Sequence, residues 1–267
     1  PNDDIECLVT ATDIEGGTAT EFDSVIIENS EPYFSADASI APSNGVFIDT
    51  VLTCEAVAND LNDGSLTPSY EWSHNSIVIA TGNTYTVSIA DVYVGDEITC
   101  TATVTDANEE IETSTDSVIV ENTEPIISDV EITPSTTVYN GDSLTCSATV
   151  TDPDETLTIS YEWTNGTTSL TTGSSIDLSS HSINPADVIT CTASVADSDG
   201  GSATESTTKT IQNRAPSVDS VIIDNTTPFA DSTITCSANV SDDDGESLSP
   251  SYEWTVGTNV VGTSATL

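Results

Sequence analysis

Six cysteines stand at almost equal intervals, at Cys7, Cys54, Cys100, Cys146, Cys191 and Cys236, with successive gaps of 47, 46, 46, 45 and 45 residues. Such regularity marks an internal repeat. The tryptophans set its true period. Trp72, Trp163 and Trp254 lie 91 residues apart, each closing a Ser-Tyr-Glu-Trp tetrapeptide. Each follows one cysteine by 17 or 18 residues, and Trp72 and Trp163 precede the next by 28. The repeating unit is therefore about 91 residues long and reads Cys, Trp, Cys.

The residues around the cysteines say what kind of segment carries them. Leu144, Cys146, Ala148 and Val150 alternate with Thr145, Ser147 and Thr149. Ile98, Cys100, Ala102 and Val104 alternate with Thr99, Thr101 and Thr103 in the same way. A period of two is the signature of a half-buried antiparallel strand, with the apolar set inward and threonine facing water. No long helical period of apolar residues occurs, and no apolar run reaches the roughly 18 residues of a membrane-spanning helix. The expected fold is all-β.

Two alternating strands about 46 residues apart, each with an inward cysteine, and a tryptophan between them resemble the immunoglobulin fold. The resemblance implies tandem antiparallel β-sandwiches with Greek-key connections. It places Cys54 and Cys146 on strand B, Cys100 and Cys191 on strand F, and the core tryptophans Trp72, Trp163 and Trp254 on strand C. It also implies the disulfides Cys54–Cys100 and Cys146–Cys191. Asp96, Asp187 and Asp3, four residues before the second cysteine, fit the same pattern. The chain departs from it two residues before that cysteine, where Ile98, Ile189 and Ile5 replace the usual corner tyrosine. Packing must then do the work of the corner hydrogen bond. The chain is also similar to the acidic immunoglobulin-like, PKD-like and cadherin-like repeats of large bacterial and archaeal surface or filament proteins.

A short junction recurs as Asn29-Ser-Glu-Pro32, Asn122-Thr-Glu-Pro125 and Asn213-Arg-Ala-Pro216, each after an apolar strand. Proline removes a ladder donor and fixes φ, so it ends a sheet and stiffens the link. The expected division is 1–30, 31–122, 123–213 and 214–267. The two middle segments read as whole domains. Residues 1–30 read as strands F and G alone, and 214–267 as strands A to E alone. Cys7 and Cys236 are then expected to pair outside this segment. Two arrangements remain open: a window from a longer array, or subunits that complete one another head to tail, with Cys236 bonded to Cys7 of the next copy. The partners expected are therefore further repeats or other copies of the chain.

An aspartate follows every cysteine by six residues, at Asp13, Asp60, Asp106, Asp152, Asp197 and Asp242, and acidic or turn-forming residues come next. Asp60 with Asn62, Asp106 with Asn108, Asp152 with Asp154, Asp197 with Asp199, and Asp242 with Asp244 form candidate sets of oxygens for calcium, which takes six to eight. Glu31 and Glu124 could add to them. The competing reading is turn chemistry, because Asp, Asn and Gly are what tight hairpins require in any case. The third junction, with Arg214 in place, fits calcium least.

Charge and the remaining residues narrow function. The chain has 45 acidic residues against 2 basic ones, Lys209 and Arg214, for a net charge of −43. That excludes electrostatic attraction to nucleic acid and to anionic lipid. His74 and His181 stand in different repeats at unmatched positions, with no nucleophile and base beside them, and no phosphate-binding glycine loop occurs. An enzyme is not expected, nor direct membrane insertion. Asn165, Asn225 and Asn239 stand in sequons and are weak glycosylation candidates in so Ser- and Thr-rich a chain. The expected role is a structural part of an extracellular or cell-surface filament or array. The alternative is a surface adhesin whose repeats bind, or present a binder of, glycan or protein.

Overall fold

The computed structural model describes residues 1–267, and it is built of antiparallel strands with one 3₁₀ turn at Leu178–Ser180. Strands β1 (Asp4–Thr12) and β2 (Thr18–Ile26) form a hairpin. Next come β3 (Tyr33–Ala41), β4 (Val51–Asp60), β5 (Gly64–Leu66), β6 (Ser69–His74), β7 (Ile77–Thr81), β8 (Thr84–Thr86), β9 (Glu97–Thr105) and β10 (Ile111–Ile119). Their equivalents are β11 (Ile126–Thr133), β12 (Ser143–Thr151), β13 (Ser160–Asn165), β14 (Thr168–Thr172), β15 (Ser175–Asp177), β16 (Val188–Ala196) and β17 (Ser202–Thr210). The chain ends with β18 (Ser217–Ile223), β19 (Cys236–Ser241), β20 (Trp254–Val256) and β21 (Asn259–Gly262).

Strands β3 to β10 make a closed sandwich. One sheet runs β3-β4-β5, with β8 also on β4, and the other runs β10-β9-β6-β7. Strands β11 to β17 repeat it, with sheets β11-β12-β15 and β14-β13-β16-β17. These are tandem immunoglobulin-like sandwiches. The alternation of the sequence produces the layers directly. Along β9, Ile98, Cys100, Ala102 and Val104 are buried between more exposed threonines, and β16 repeats the pattern.

The centre of each sandwich is built the same way. Trp72 stands opposite Cys100 across β6 and β9, and Trp163 opposite Cys191 across β13 and β16. Both tryptophans are fully buried. Cys54 is bonded to Cys100 and Cys146 to Cys191, each with Cα atoms 6.5 Å apart. A buried indole N–H needs an acceptor. Trp72 donates to the Gly82 carbonyl at 2.9 Å, and Trp163 to that of Gly173 at 2.9 Å. Gly82 and Gly173 sit at φ of 102° and 108°, where a side chain is strained, so glycine is required for the carbonyl to face inward. Ile98 and Ile189, at the corner position, are completely buried and fill that place by packing.

By contact, the chain divides into two compact units. The first is Pro1–Glu124 with the turns Asp152–Thr156 and Ser198–Gly201. The second is Pro125–Thr151, Leu157–Asp197 and Ser202–Leu267.

The terminal strands differ in burial. Every residue of β1 and β2 is exposed, including Ile5, Val9, Phe22 and Val25. Strand β18 is exposed throughout, and Trp254, expected as a core residue, is only partly buried. The tryptophan position still has its local bond, since Trp254 donates its indole N–H to the Ser264 carbonyl at 2.8 Å. What it lacks is a facing strand. Cys7 and Cys236 are free thiols within this chain.

Candidate functional site at the acidic turns and linkers

The acidic turns after the cysteine strands are built on one local plan. An aspartate folds its side chain back onto amides ahead of it, which is the Asx turn expected of this residue. Asp60 Oδ1 accepts from the N–H groups of Asn62 at 2.6 Å and Asp63 at 2.9 Å. Asp152 Oδ1 accepts from Asp154 at 2.8 Å and Glu155 at 3.2 Å. Asp242 Oδ1 accepts from Asp244 at 2.7 Å. Asp106 Oδ1 accepts from Asn108 at 2.9 Å and Glu110 at 2.8 Å. In each turn one carboxylate oxygen is spent on the chain itself, and the other remains for something else.

The second residue of each turn takes hold of the linker. The Ser30 N–H donates to Asn62 Oδ1 at 2.8 Å, and the Ser30 hydroxyl bonds to the same oxygen. The Thr123 N–H donates to Asp154 Oδ2 at 2.5 Å, and the Arg214 N–H donates to Asp244 Oδ2. The same bond therefore occurs at all three junctions, made by Asn62, Asp154 and Asp244 in turn. Pro32 and Pro125, just beyond the first two linkers, are buried, whereas Pro216 is exposed.

The first junction is bound from a second side. Asn29 Nδ2 donates to Asp106 Oδ2 at 2.7 Å and to Glu110 Oε2 at 2.9 Å. That bond is the largest influence holding the Asp106 carboxyl below the usual carboxylate range. Asp60 and Asp106 are both buried. The Ala107 N–H donates to Asp63 at 2.9 Å, tying the two turns together.

The residues expected for calcium divide accordingly. Asp60, Asn62 and Asp106 gather around Asn29 and Ser30, and Asn108 contributes only its backbone N–H to Asp106. Asp154 is buried at Thr123, and Asp244 lies under Arg214 with its side chain fully buried. Asp199 is exposed and accepts from the Ser198 hydroxyl at 3.4 Å, while Asp197 is half-buried. No three histidine, cysteine, aspartate or glutamate side chains gather closely enough to form a metal cage on their own. Asn29 Oδ1, Asp152 Oδ2 and Asp242 Oδ2 are nevertheless buried with no hydrogen-bond donor. A buried acceptor without a donor is costly, and a cation or water satisfies it.

The sequence identified the acidic residues but missed their partners in the linkers. Asn29, Ser30 and Thr123 form half of the first two sites, and Asn140 and Tyr139 belong to the third. The recurring Asn-x-x-Pro junction was the available signal. Of the sequon residues, Asn165 is half-buried and donates to Asp187 at 2.8 Å. Asn225 Oδ1 accepts from Thr227 N–H at 3.0 Å, and Asn239 is exposed on β19. His74 Nε2 lies 3.4 Å from Asp96.

No protein-family model matches the chain, and no curated protein matches it. In fold it is similar to solved tandem-domain structures. Immunoglobulin domains 1–5 of Sidekick-1 share 15% identity at a TM-score of 0.31, covering 96% of this chain and 55% of that one. Three N-terminal domains of the bacteriophage RB49 highly immunogenic outer capsid protein share 16% identity at a TM-score of 0.30, covering 87% of this chain and 80% of that one. A Ca²⁺-stabilized adhesin that helps an Antarctic bacterium bind ice shares 13% identity at a TM-score of 0.26, covering 88% and 65%. The chain thus spans about half of the Sidekick-1 structure.

Proposed function

We propose that the chain is a structural segment of an extracellular filament or surface array, with immunoglobulin-like domains at 31–122 and 123–213 and partial ones at 1–30 and 214–267. The observation that carries this is the repeated linker clamp: Ser30 on Asn62, Thr123 on Asp154 and Arg214 on Asp244. A binding module needs one good loop. A spacer needs every joint to resist bending, and here every joint has the same bond. The in-register tyrosines support the structural reading over an adhesive one. Tyr70 and Tyr161 pack on the two cores, and their hydroxyls accept from Ala56 N–H at 3.0 Å and Ala148 N–H at 3.1 Å.

The partners under this reading are more of the same repeats. The apolar strands 4–26 and 217–267 are matching halves of one sandwich, and Cys7 and Cys236 correspond to the bonded Cys100 and Cys54. Each half is covered by its complement, from further repeats or from another copy. Disulfide mapping of the native material tests this. Cys7 and Cys236 are expected in disulfides of the Cys54–Cys100 type, and free thiols there would overturn the reading.

Calcium belongs to the same proposal. The donor-less oxygens Asn29 Oδ1 and Asp152 Oδ2 fit a hard cation at the first and second junctions. Asp60, Asn62, Asp106, Asp152 and Asp154 would hold it, and its charge would relieve their mutual repulsion. A melt in calcium against chelator checks the point: a higher midpoint in calcium is expected, and identical midpoints would refute the cation.

A further inference from the structure

Three equivalent turns face three linkers, and only one linker brings a positive charge of its own. Where the first junction has Ser30 and the second Thr123, the third has Arg214. Its N–H makes the same bond as theirs, and its side chain then reaches further. Arg214 Nε donates to Asp244 Oδ1 at 2.9 Å. Its terminal nitrogen donates to Asn140 Oδ1 at 2.7 Å and to the Asp243 carbonyl at 3.0 Å. Asn140 returns a bond from Nδ2 to the Asp244 carbonyl at 2.8 Å. The guanidinium carbon lies 4.8 Å from the centre of the Tyr139 ring, within cation–π range.

These contacts join the loop before β12 to the turn 242–244 through one side chain. A planar, permanently charged fork suits this task, and a hydroxyl does not. Asp244, whose side chain is fully buried, has the guanidinium as its charged partner there. The receiving loop is also particular to this junction. Val138-Tyr139-Asn140 corresponds to Val46-Phe47-Ile48 in the preceding repeat, which has neither the amide nor a polar ring, and Ile48 is buried in its own core.

We infer that Arg214 is a tethered cation that locks the third junction without a free metal ion. The contrast with the other junctions rests on the proposed cation sites there, whereas the lock rests on its own bonds. Asp242 Oδ2 is buried without a donor here as Asp152 Oδ2 is at the second junction, so the comparison of calcium with chelator at this junction is what separates lock from ion site. One of only two basic residues in a chain with 45 acidic ones is committed to this point.

Hydrogen exchange of the whole chain, read by mass spectrometry in calcium chloride and in chelator, tests the lock. In the wild type, exchange across 139–142 and 242–245 should be the same in both solutions. Arg214→Ser should accelerate it about tenfold in chelator, and Asn140→Ala by a few-fold, with protection of β13 and β16 unchanged in both variants. Arg214→Lys, which keeps the charge but not the fork, should fall between wild type and Arg214→Ser. An Arg214→Ser chain that exchanges no faster than wild type would sink the proposal, as would a wild-type third junction that loosens in chelator. If calcium re-tightens Arg214→Ser, the turn is a cation site vacated by the arginine, and the lock is supported. If Arg214→Ser loosens and calcium changes nothing, the lock stands and the calcium reading of the acidic turns fails.

Discussion

The closed sandwiches and the terminal strands carry the same sequence signals and differ sharply in burial. Trp72 and Trp163 are fully buried, whereas Trp254, in the same tetrapeptide, is only partly so. Ile98 is completely buried, and Ile5, its counterpart two residues before a cysteine, is 53% exposed. Local geometry nevertheless survives in the open segment. The register shift beside Trp72 and Trp163 recurs beside Trp254, and so does the indole bond to a carbonyl ten residues on. The difference is instructive. Strand shape is written in each strand, but most of the stability comes from the facing sheet, since burial of apolar area is the dominant favourable term.

The largest effect expected from this contrast is at the tryptophans. Trp163→Ala should cost its sandwich about 3–5 kcal/mol, the usual range for a buried large aromatic. Trp254→Ala in the isolated, monomeric chain, where its half is uncovered, should cost a small fraction of that. Exchange protection of β13 and β16, compared with that of β20 and β21, reads both. Equal losses would mean that the terminal strands are covered as fully as the closed sandwiches. The disulfides come next. Removing Cys146–Cys191, which closes a 45-residue span, should cost about 4 kcal/mol in the chain-entropy model. Cys7→Ser should leave the stability of both closed sandwiches unchanged, since Cys7 bonds to nothing within the chain. Urea unfolding of the two variants checks the pair.

Among the core positions at which the two closed sandwiches differ, one carries an ionisable group. Tyr85 in the first corresponds to Ile176 in the second, both buried. Burial first, and then its bond to Asp91 at 3.0 Å, push the Tyr85 hydroxyl up to about 12. A raised pKa stabilises the fold fully below the unfolded value near 10 and loses that contribution as pH climbs toward the folded value. The first sandwich should therefore weaken between about pH 10 and 12, by on the order of 2 kcal/mol, and the second should show no such step. Tyr85→Phe should abolish it. Phenolate absorbance during an alkaline titration, with exchange protection of β9 against β16, makes the comparison.

How much of this could be read from the sequence depends on its range of action. The period of two around Cys100 and Cys146 and the cysteine and tryptophan spacing are local or periodic, and they led to the sandwich; the role of Gly82 and Gly173 as indole acceptors emerged only from the structure. The partial burial of Trp254 could not be read from its surroundings, because Ser251–Trp254 is identical to Ser69–Trp72. Only the facing strand distinguishes them. The turns were legible as acidic but not as clamps. Asn62 holds Ser30 across 32 residues and Asn29 holds Asp106 across 77, and no short window of sequence contains either pair. Arg214 stood out as an exception to the pattern, but its bond to Asn140, 74 residues away, needed coordinates.

The smallest effect lies at the first junction, where it separates a clamp from a mere turn. If Asp106 were simply a turn residue, its titration would depend on the amides of Asn108 and Glu110 alone. The structure makes the Asn29 side chain the leading influence, followed by burial acting in the opposite sense. Asn29→Ala should therefore raise the Asp106 pKa toward the ordinary carboxylate value. The sign for stability follows. A depressed carboxyl stabilises the fold above its unfolded pKa and loses that contribution as pH falls through the folded value. In the wild type the first junction should hold below the ordinary range of aspartate, and in Asn29→Ala it should loosen at a higher pH. Carboxyl chemical shifts of Asp106 followed through an acid titration decide it. An unchanged midpoint in Asn29→Ala would reduce the first linker to a neighbour of the turn and leave Ser30 as its only hold.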